Sequence, residues 1–187
     1  MTYLKITLVI FLSIAIPGII IIHPISAETF SKPPIPYENN GACPFECCTY
    51  REWYAKKETI ILKDRRNGSP VAYKVGKGER VTGLTGVVIT TKPGRVKVLK
   101  PVRIGYYNAS RGEIVYLLTY RGEGFFKVWY KGNIIDSVDM YGLDTNKVVF
   151  SILESPESIW WVQIKNKDGQ TGWSNKPEDF DNKDACG

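Results

Sequence analysis

Apolar and polar positions alternate along most of this chain, and the period is two. From Thr49 onward, short runs rich in Val, Ile, Thr, Tyr and Trp are separated by glycine-containing turns. That is the pattern of half-buried strands. It predicts strands near residues 51–62, 70–75, 79–85, 87–91, 95–99, 113–119, 124–130, 147–153, 159–165 and 170–174. Turn signals lie between them at Asn67-Gly68, Gly76-Lys77-Gly78, Lys92-Pro93-Gly94, Arg121-Gly122-Glu123-Gly124, Lys131-Gly132-Asn133 and Asp168-Gly169. No window of useful length places apolar residues at helical spacing, and Glu154-Ser155-Pro156-Glu157 is at most a turn. Many short strands without helices predict an all-β sandwich or barrel.

The N-terminal pattern is different. Ile6 to Ile22 is almost wholly apolar, preceded by Lys5 and interrupted by Pro17-Gly18. Ala27 then supplies a small residue before Glu28. Residues 1–27 read as a cleaved export signal. The competing reading is an uncleaved anchor; against it stand the helix breakers and a run shorter than the roughly 20 residues of a spanning helix. The expected location is periplasmic or secreted. Residues 28–48 are polar and proline-rich, with Lys32, Pro33, Pro34, Pro36, Asn39, Asn40 and Gly41, and read as a flexible, cysteine-containing lead-in.

Composition narrows the chemistry. Cleavage after Ala27 leaves 160 residues (187 − 27) and removes His23, the only histidine. A chain without imidazole has no base for a Ser-His-Asp or Cys-His triad and lacks the commonest zinc ligand. The expectation is a protein that is not an enzyme and uses no cofactor and no metal. Loss of Lys5 lowers the formal charge from +6 to +5. An exported basic protein meets anionic envelope polymers rather than nucleic acid. Membrane contact is expected only through the export signal. Cys43, Cys47, Cys48 and Cys186 are an even set, which in an oxidising compartment implies two disulfides. A vicinal Cys47–Cys48 bridge would strain the chain, so the favoured pairings join one N-terminal cysteine to Cys186.

One internal repeat stands out. Lys77-Gly78-Glu79-Arg80-Val81-Thr82-Gly83-Leu84-Thr85 matches Arg111-Gly112-Glu113-Ile114-Val115-Tyr116-Leu117-Leu118-Thr119, 34 residues on (112 − 78). The shared pattern is basic-Gly-Glu-x-Val-x-x-Leu-Thr. Two copies are too few for a solenoid, which needs several stacked repeats. Two small similar domains fit better.

The segment Trp160 to Lys165, the turn Asp168-Gly169 and the Gly172-Trp173 pair after it resemble the closing strands of a bacterial SH3 (SH3b) domain. The basic-Gly-Glu-x-Val-x-x-Leu pattern resembles that family's strand after the RT loop. The resemblance implies two small SH3-like β-barrels, consecutive or interleaved. In the consecutive form the first module spans 49–104. The second spans 105–180 with an insertion near 132–158, and 181–187 form a tail. In the interleaved form the terminal hairpin returns to complete the first barrel, which a Cys186 bridge to the Cys43–Cys48 region would suit. SH3b modules are accessory binding domains of the envelope. The resemblance therefore implies a stand-alone binding module for peptidoglycan peptides or an envelope protein. The alternative is an inhibitor or immunity-type partner of an envelope enzyme.

Aromatic side chains are the candidate ligand contacts, because they give rigid area with a polar handle. Trp53, Phe126 and Trp161 are expected inside. Adjacent residues of a strand face opposite ways, so Trp160 is expected outside, and Tyr120, Trp129 and Trp160 are the candidate ligand-binding residues. Asp179, Asp181 and Asp184 lack the glycine and terminal acid of a calcium loop and read as a solvated tail. The pairs Glu154/Glu157 and Asp136/Asp139 carry no sign of divergent acidity. Lys56, Lys57, Lys63, Arg65 and Arg66 read as a solvated edge strand.

Overall fold

The computed structural model describes residues 32–141 and 148–186. The expected export signal, residues 1–27, lies outside the described residues. Among them no helix is long and apolar enough to cross a membrane.

The chain is all-β, as its period-two pattern predicts. In chain order the strands are β1 (Tyr37–Asn40), β2 (Glu52–Ala55), β3 (Thr59–Leu62), β4 (Val71–Val75), β5 (Arg80–Lys92) and β6 (Gly94–Val98). Then come β7 (Val102–Ile104), β8 (Tyr107–Ala109), β9 (Ile114–Gly122), β10 (Phe125–Tyr130), β11 (Asn133–Asp139) and β12 (Phe150–Glu154). β13 (Glu157–Lys165), β14 (Thr171–Ser174), a 3-10 turn at Pro177–Asp179 and β15 (Phe180–Asp181) close the fold. The single strand expected at 51–62 is two, β2 and β3, and β7 and β8 lie where no strand is expected. Three further differences have physical causes. Tyr37–Asn40, read as linker, is instead a strand, because β5 offers it a free edge with Tyr37 opposite Thr90 and Asn40 opposite Val87. The two strands expected at 79–85 and 87–91 are one, since Gly86 makes a close contact there and no turn. β11 escapes the pattern because Ser137 has a left-handed backbone (φ 51°), and a register shift in its ladder with β10 falls between Phe126 and Val128.

The strands form two main sheets with the same internal order, and β7 and β8 pair as a separate two-stranded sheet. One runs β15-β2-β5-β13-β14, continued by β3 and β4, with β1 on β5; the other runs β12-β6-β9-β10-β11. In each, a hairpin (β3–β4 or β7–β8) separates the first and second strands of the unit in sequence, and the last strand returns to pair with the first. The sequence repeat sits at the same place in both. Glu79 accepts a hydrogen bond from the Gly76 N–H at 2.5 Å, and Glu113 accepts one from the Ser110 N–H at 2.6 Å. The Gly78 N–H donates to the Ala55 carbonyl, and the Gly112 N–H to the Val98 carbonyl. Ala55 and Val98 donate back to the carbonyls of Glu79 and Glu113. Each copy is therefore a turn that a glutamate closes on itself and that docks on the end of the unit's first strand.

The pairing does not follow the division into 49–104 and 105–180. β13 and β14 pair with β5 and β3, so the chain leaves the first sheet after β5, builds the whole second sheet, and returns. The buried side chains divide the same way. Trp53, Ile61, Val75, Val81, Val162, Ile164 and Phe180 form one core. Val96, Val98, Ile104, Val115, Leu117, Phe126, Val128 and Phe150 form the other. At the neck Lys92 lies opposite Glu157 and Arg95 opposite Glu154. Lys92 pairs with Glu157 (3.4 Å) and Glu154 (3.9 Å), and Arg95 with Glu154 (3.7 Å). These carboxylates are structural ion pairs.

The two ends of the described chain are fastened together. Disulfides join Cys43 to Cys48 and Cys47 to Cys186. They are the form expected of an oxidising, extracytoplasmic compartment. Around them Thr49 donates to the Lys183 carbonyl, Ala185 to the Cys47 carbonyl, and the Arg51 guanidinium to Asn182 and the Asp184 carbonyl. Asp179, expected in a solvated tail, is instead buried. Its Oδ2 accepts from the Thr59 hydroxyl at 2.9 Å, and its Oδ1 pairs with Lys57 at 2.9 Å.

Cys186→Ser together with Cys47→Ser opens a closed segment of 139 residues. Loop-closure entropy puts the expected loss at about 4–5 kcal/mol, read by denaturant unfolding of oxidised protein. Burial pushes the Asp179 carboxyl up, but the hydrogen bonds from Lys57 and Thr59 and the charges of Lys57 and Lys176 outweigh it and hold its pKa below the ordinary value. That stabilisation is complete above the ordinary carboxyl pKa and is lost as pH falls through the lower folded value. Asp179→Asn should therefore weaken the protein at neutral pH and flatten the acid limb of its stability curve. A wild-type acid limb retained in the variant would assign that limb to other groups.

Candidate functional site

The junction between the two sheets holds a cleft of about 600 Å³. One wall is the small loop 43–48, closed on itself by Cys43–Cys48. The other is the β9–β10 turn, with Arg121, Gly122, Glu123 and Phe125, and Ser137 from β11. Neither sheet makes this cleft alone. Gly122 sits where a Cβ would come 2.9 Å from the Glu46 backbone nitrogen, and its φ of 102° is in glycine territory. The turn and the loop can approach only because that side chain is absent.

Both walls are held in place by aromatic groups. Phe45 stands edge-on to Trp160, with centroids 6.0 Å apart. Trp160 donates its indole N–H to the Tyr50 hydroxyl at 3.2 Å, and Tyr50 donates in turn to the Ala42 carbonyl. Burial pushes the Tyr50 phenol up, to about 12, although the Trp160 hydrogen bond opposes it. The phenol is thus a permanent donor at any physiological pH. On the opposite wall the Gly124 N–H donates to the Tyr120 hydroxyl at 3.4 Å, and the Tyr120 ring packs against Phe126 at 5.0 Å.

Three non-glycine residues of the cleft have left-handed backbones: Cys47 (φ 53°), Glu123 (φ 46°) and Ser137 (φ 51°). Such conformations cost on the order of 1–3 kcal/mol each and gather at ligand clamps and switch regions. The charge there is also distinctive. Arg121 and Lys127 share Asp136, Arg121 Nε to Oδ1 and Lys127 Nζ to Oδ2, each at 3.6 Å. Glu46 and Glu123 are exposed, and among the described residues neither has an ion-pair partner. The Glu46 carboxylate lies within 4.8 Å of the Cys47 and Cys186 sulfurs. Those sulfurs are bonded to each other, so the trio offers no thiolate ligands for a metal.

The residues singled out from sequence fall in several places. Trp53, Phe126 and Trp161 are buried. Trp160 and Tyr120 are half-buried, one behind each wall of the cleft. Trp129 is elsewhere, half-buried on the outward face of the second sheet, opposite Tyr116 and Ile134. The three candidates are thus not one patch. Of the basic stretch, Arg65 pairs with Glu38 at 3.1 Å and lies over the Trp173 ring at 5.2 Å. Sequence reasoning missed Phe45, Glu46, Glu123 and Phe125. The only available signal was the glycine-flanked Glu123 and the tightly spaced cysteines around Phe45 and Glu46.

No protein-family model, curated protein or solved structure matches this chain.

Gly86→Ala tests the aromatic support directly. A Cβ at residue 86 would overlap the Tyr50 hydroxyl and the Trp160 indole nitrogen. The expected loss is about 1–3 kcal/mol for an overpacked site. Near-ultraviolet circular dichroism should show the tryptophan environment changed. An unchanged spectrum and unchanged stability would separate Gly86 from the wall.

Proposed function

We propose that this chain is an exported, non-enzymatic binding protein of the bacterial envelope, built from two nested SH3-like barrels. The common strand order of the two sheets, with a hairpin after the first strand and the repeated glutamate turn before the second, supports the SH3-like reading. The single observation that carries the binding reading is the junction cleft. It is concave, lined by aromatic and charged groups, and lies between two units, where ligand sites gather. Its walls are fixed by a disulfide loop, so little conformational entropy is lost on binding. The ligand class is a cell-wall peptide or an extended segment of an envelope protein.

One observation favours a second reading, an inhibitor or immunity-type partner of an envelope enzyme. Tyr106 is 93% exposed at the tip of the β7–β8 hairpin. A tyrosine held out on a short hairpin is the kind of anchor that fills a pocket in another protein.

The mature, disulfide-bonded protein should be retained by purified peptidoglycan sacculi and released by competing soluble wall peptides. Absence of retention, with capture of one protein from a periplasmic extract that Tyr106→Ala abolishes, would replace the wall-ligand reading by the second.

A further inference from the structure

We propose that the end of the second sheet farthest from the cleft is a docking surface for an anionic lipid bilayer. It would be a membrane contact that does not use the export signal, and it does not depend on the cleft. β9 runs from one place to the other, and its nine residues hold the two roughly 25 Å apart.

Charge is the first support. From Val96 to Gly112 the chain carries Lys97, Lys100, Arg103 and Arg111 and no acidic residue. The fold gathers these cations at one end. The Gly112 N–H donates to the Val98 carbonyl at 2.8 Å, which places Arg111 beside the end of β6 with Lys97 and Lys100. Arg103 lies opposite Asn108 in the β7–β8 hairpin. Its Nε donates to the Gly105 carbonyl at 3.0 Å, so the guanidinium reaches along the hairpin toward its tip. The terminal nitrogens of that fork are left for a phosphate. All four cations are exposed, and among the described residues none has a carboxylate partner. Glu113, the carboxylate nearest them in sequence, is engaged by the Ser110 N–H, the Tyr130 hydroxyl and Lys131.

Exposed apolar groups are the second support, and they separate a bilayer from a soluble polyanion. Tyr106 (93% exposed) and Val148 (69%) are the two most exposed large hydrophobic residues among those described. Tyr106 follows Gly105 at the hairpin tip, beside the Arg103 guanidinium. Val148 precedes Val149, whose carbonyl accepts from Leu99, the neighbour of Lys100. Both therefore stand among the cations. A bilayer interface takes up such a tyrosine at headgroup level while anionic headgroups draw the lysines and arginines. A polyanion in water would leave both apolar groups wet. The third support is rigidity. Ile104 is fully buried, the Tyr107 hydroxyl accepts from Asn133 at 2.6 Å, and the Tyr107 ring stands edge-on to Tyr130 at 5.9 Å. At Gly105 (φ 56°) a Cβ would come within 3.0 Å of Ile135, so the hairpin lies tight against β11. Tyr106 is thus presented on a fixed support, and docking has little to order.

The test is co-sedimentation of the mature, oxidised protein with two kinds of vesicle at low salt. One is phosphatidylcholine alone; the other is phosphatidylcholine mixed with phosphatidylglycerol. The expected result is binding to the mixed vesicles only, abolished by high salt. Lys100→Gln, Arg103→Gln and Arg111→Gln should each weaken it about fivefold, the scale of one basic residue at an anionic surface. Tyr106→Ser should weaken it several-fold. None should move the melting temperature, since these side chains are exposed. Soluble polyphosphate offers the phosphates without the apolar layer, so it should bind more weakly and be indifferent to Tyr106→Ser. No binding to mixed vesicles, equal binding to both kinds, or glutamine variants that bind like wild type would overturn the docking surface. Vesicle binding that ignores Tyr106→Ser, with polyphosphate bound as tightly, would overturn it in favour of a soluble polyanion. Retention by sacculi reads the cleft and should survive all four substitutions, so each claim can fail without the other.

Discussion

The antiparallel ladder between β5 and β13 is the interaction on which the rest of the molecule depends. β5 is thirteen residues long, and β13, β2 and β1 all pair with it. It runs from the first core, where Trp53 packs beneath Gly83, to the neck, where Lys92 meets Glu157. Near its far end the Thr90 hydroxyl donates to the Leu118 carbonyl of β9, so the same strand also touches the second sheet. If β13 were lifted from β5, the first core would lose Val162 and Ile164 and the cleft would lose the tryptophan behind Phe45. The ladder therefore links folding of the first unit to the shape of the candidate site.

The nesting explains why both ends of the described chain are so heavily fastened. The last strand, β15, has two residues and, among the described residues, pairs only with β2. A ladder that short is marginal. Phe180 buries itself against Trp53, with centroids 6.0 Å apart, and Asp179 anchors the preceding turn through Thr59 and Lys57. The Cys47–Cys186 bridge then fixes the residues beyond β15. Because the loop bearing Cys47 is also a wall of the cleft, the bridge that fastens the two ends of the described chain shapes the site as well.

Much of this is legible in the sequence, and the limits are physical. Period-two alternation locates most strands of both cores because each buries one face, but not the short β7 and β8 that bring Ile104 and Ala109 into the second core, and the repeat marks the two equivalent turns. Pairing partners are not legible. Nothing in Glu157–Lys165 says whether it lies beside β10 or β5, since either neighbour would bury the same alternating face. Gly86 misleads because a glycine that makes room for Tyr50 and Trp160 looks like one that makes a turn. Trp160 and Tyr120 stand out in the sequence, but one step from their place: they stand behind the cleft and do not face into it. Phe45, Glu46, Glu123 and Phe125 come from two loops brought together only by the nesting, and local pattern carries no information about such meetings.

The neck has a consequence for how the molecule assembles. Lys92 and Glu157 are 65 residues apart in sequence and adjacent in space. Bringing the ends of a flexible segment that long together costs about 3–4 kcal/mol in chain entropy alone. The inner sheet brings those ends together by itself, because β6 and β12 are paired strands that start and finish at the neck. Once it has formed, the outer ladder closes across a gap of a few residues. The inner unit thus holds the two halves of the outer one side by side, and the outer ladder carries little of the closure entropy of the 65-residue separation.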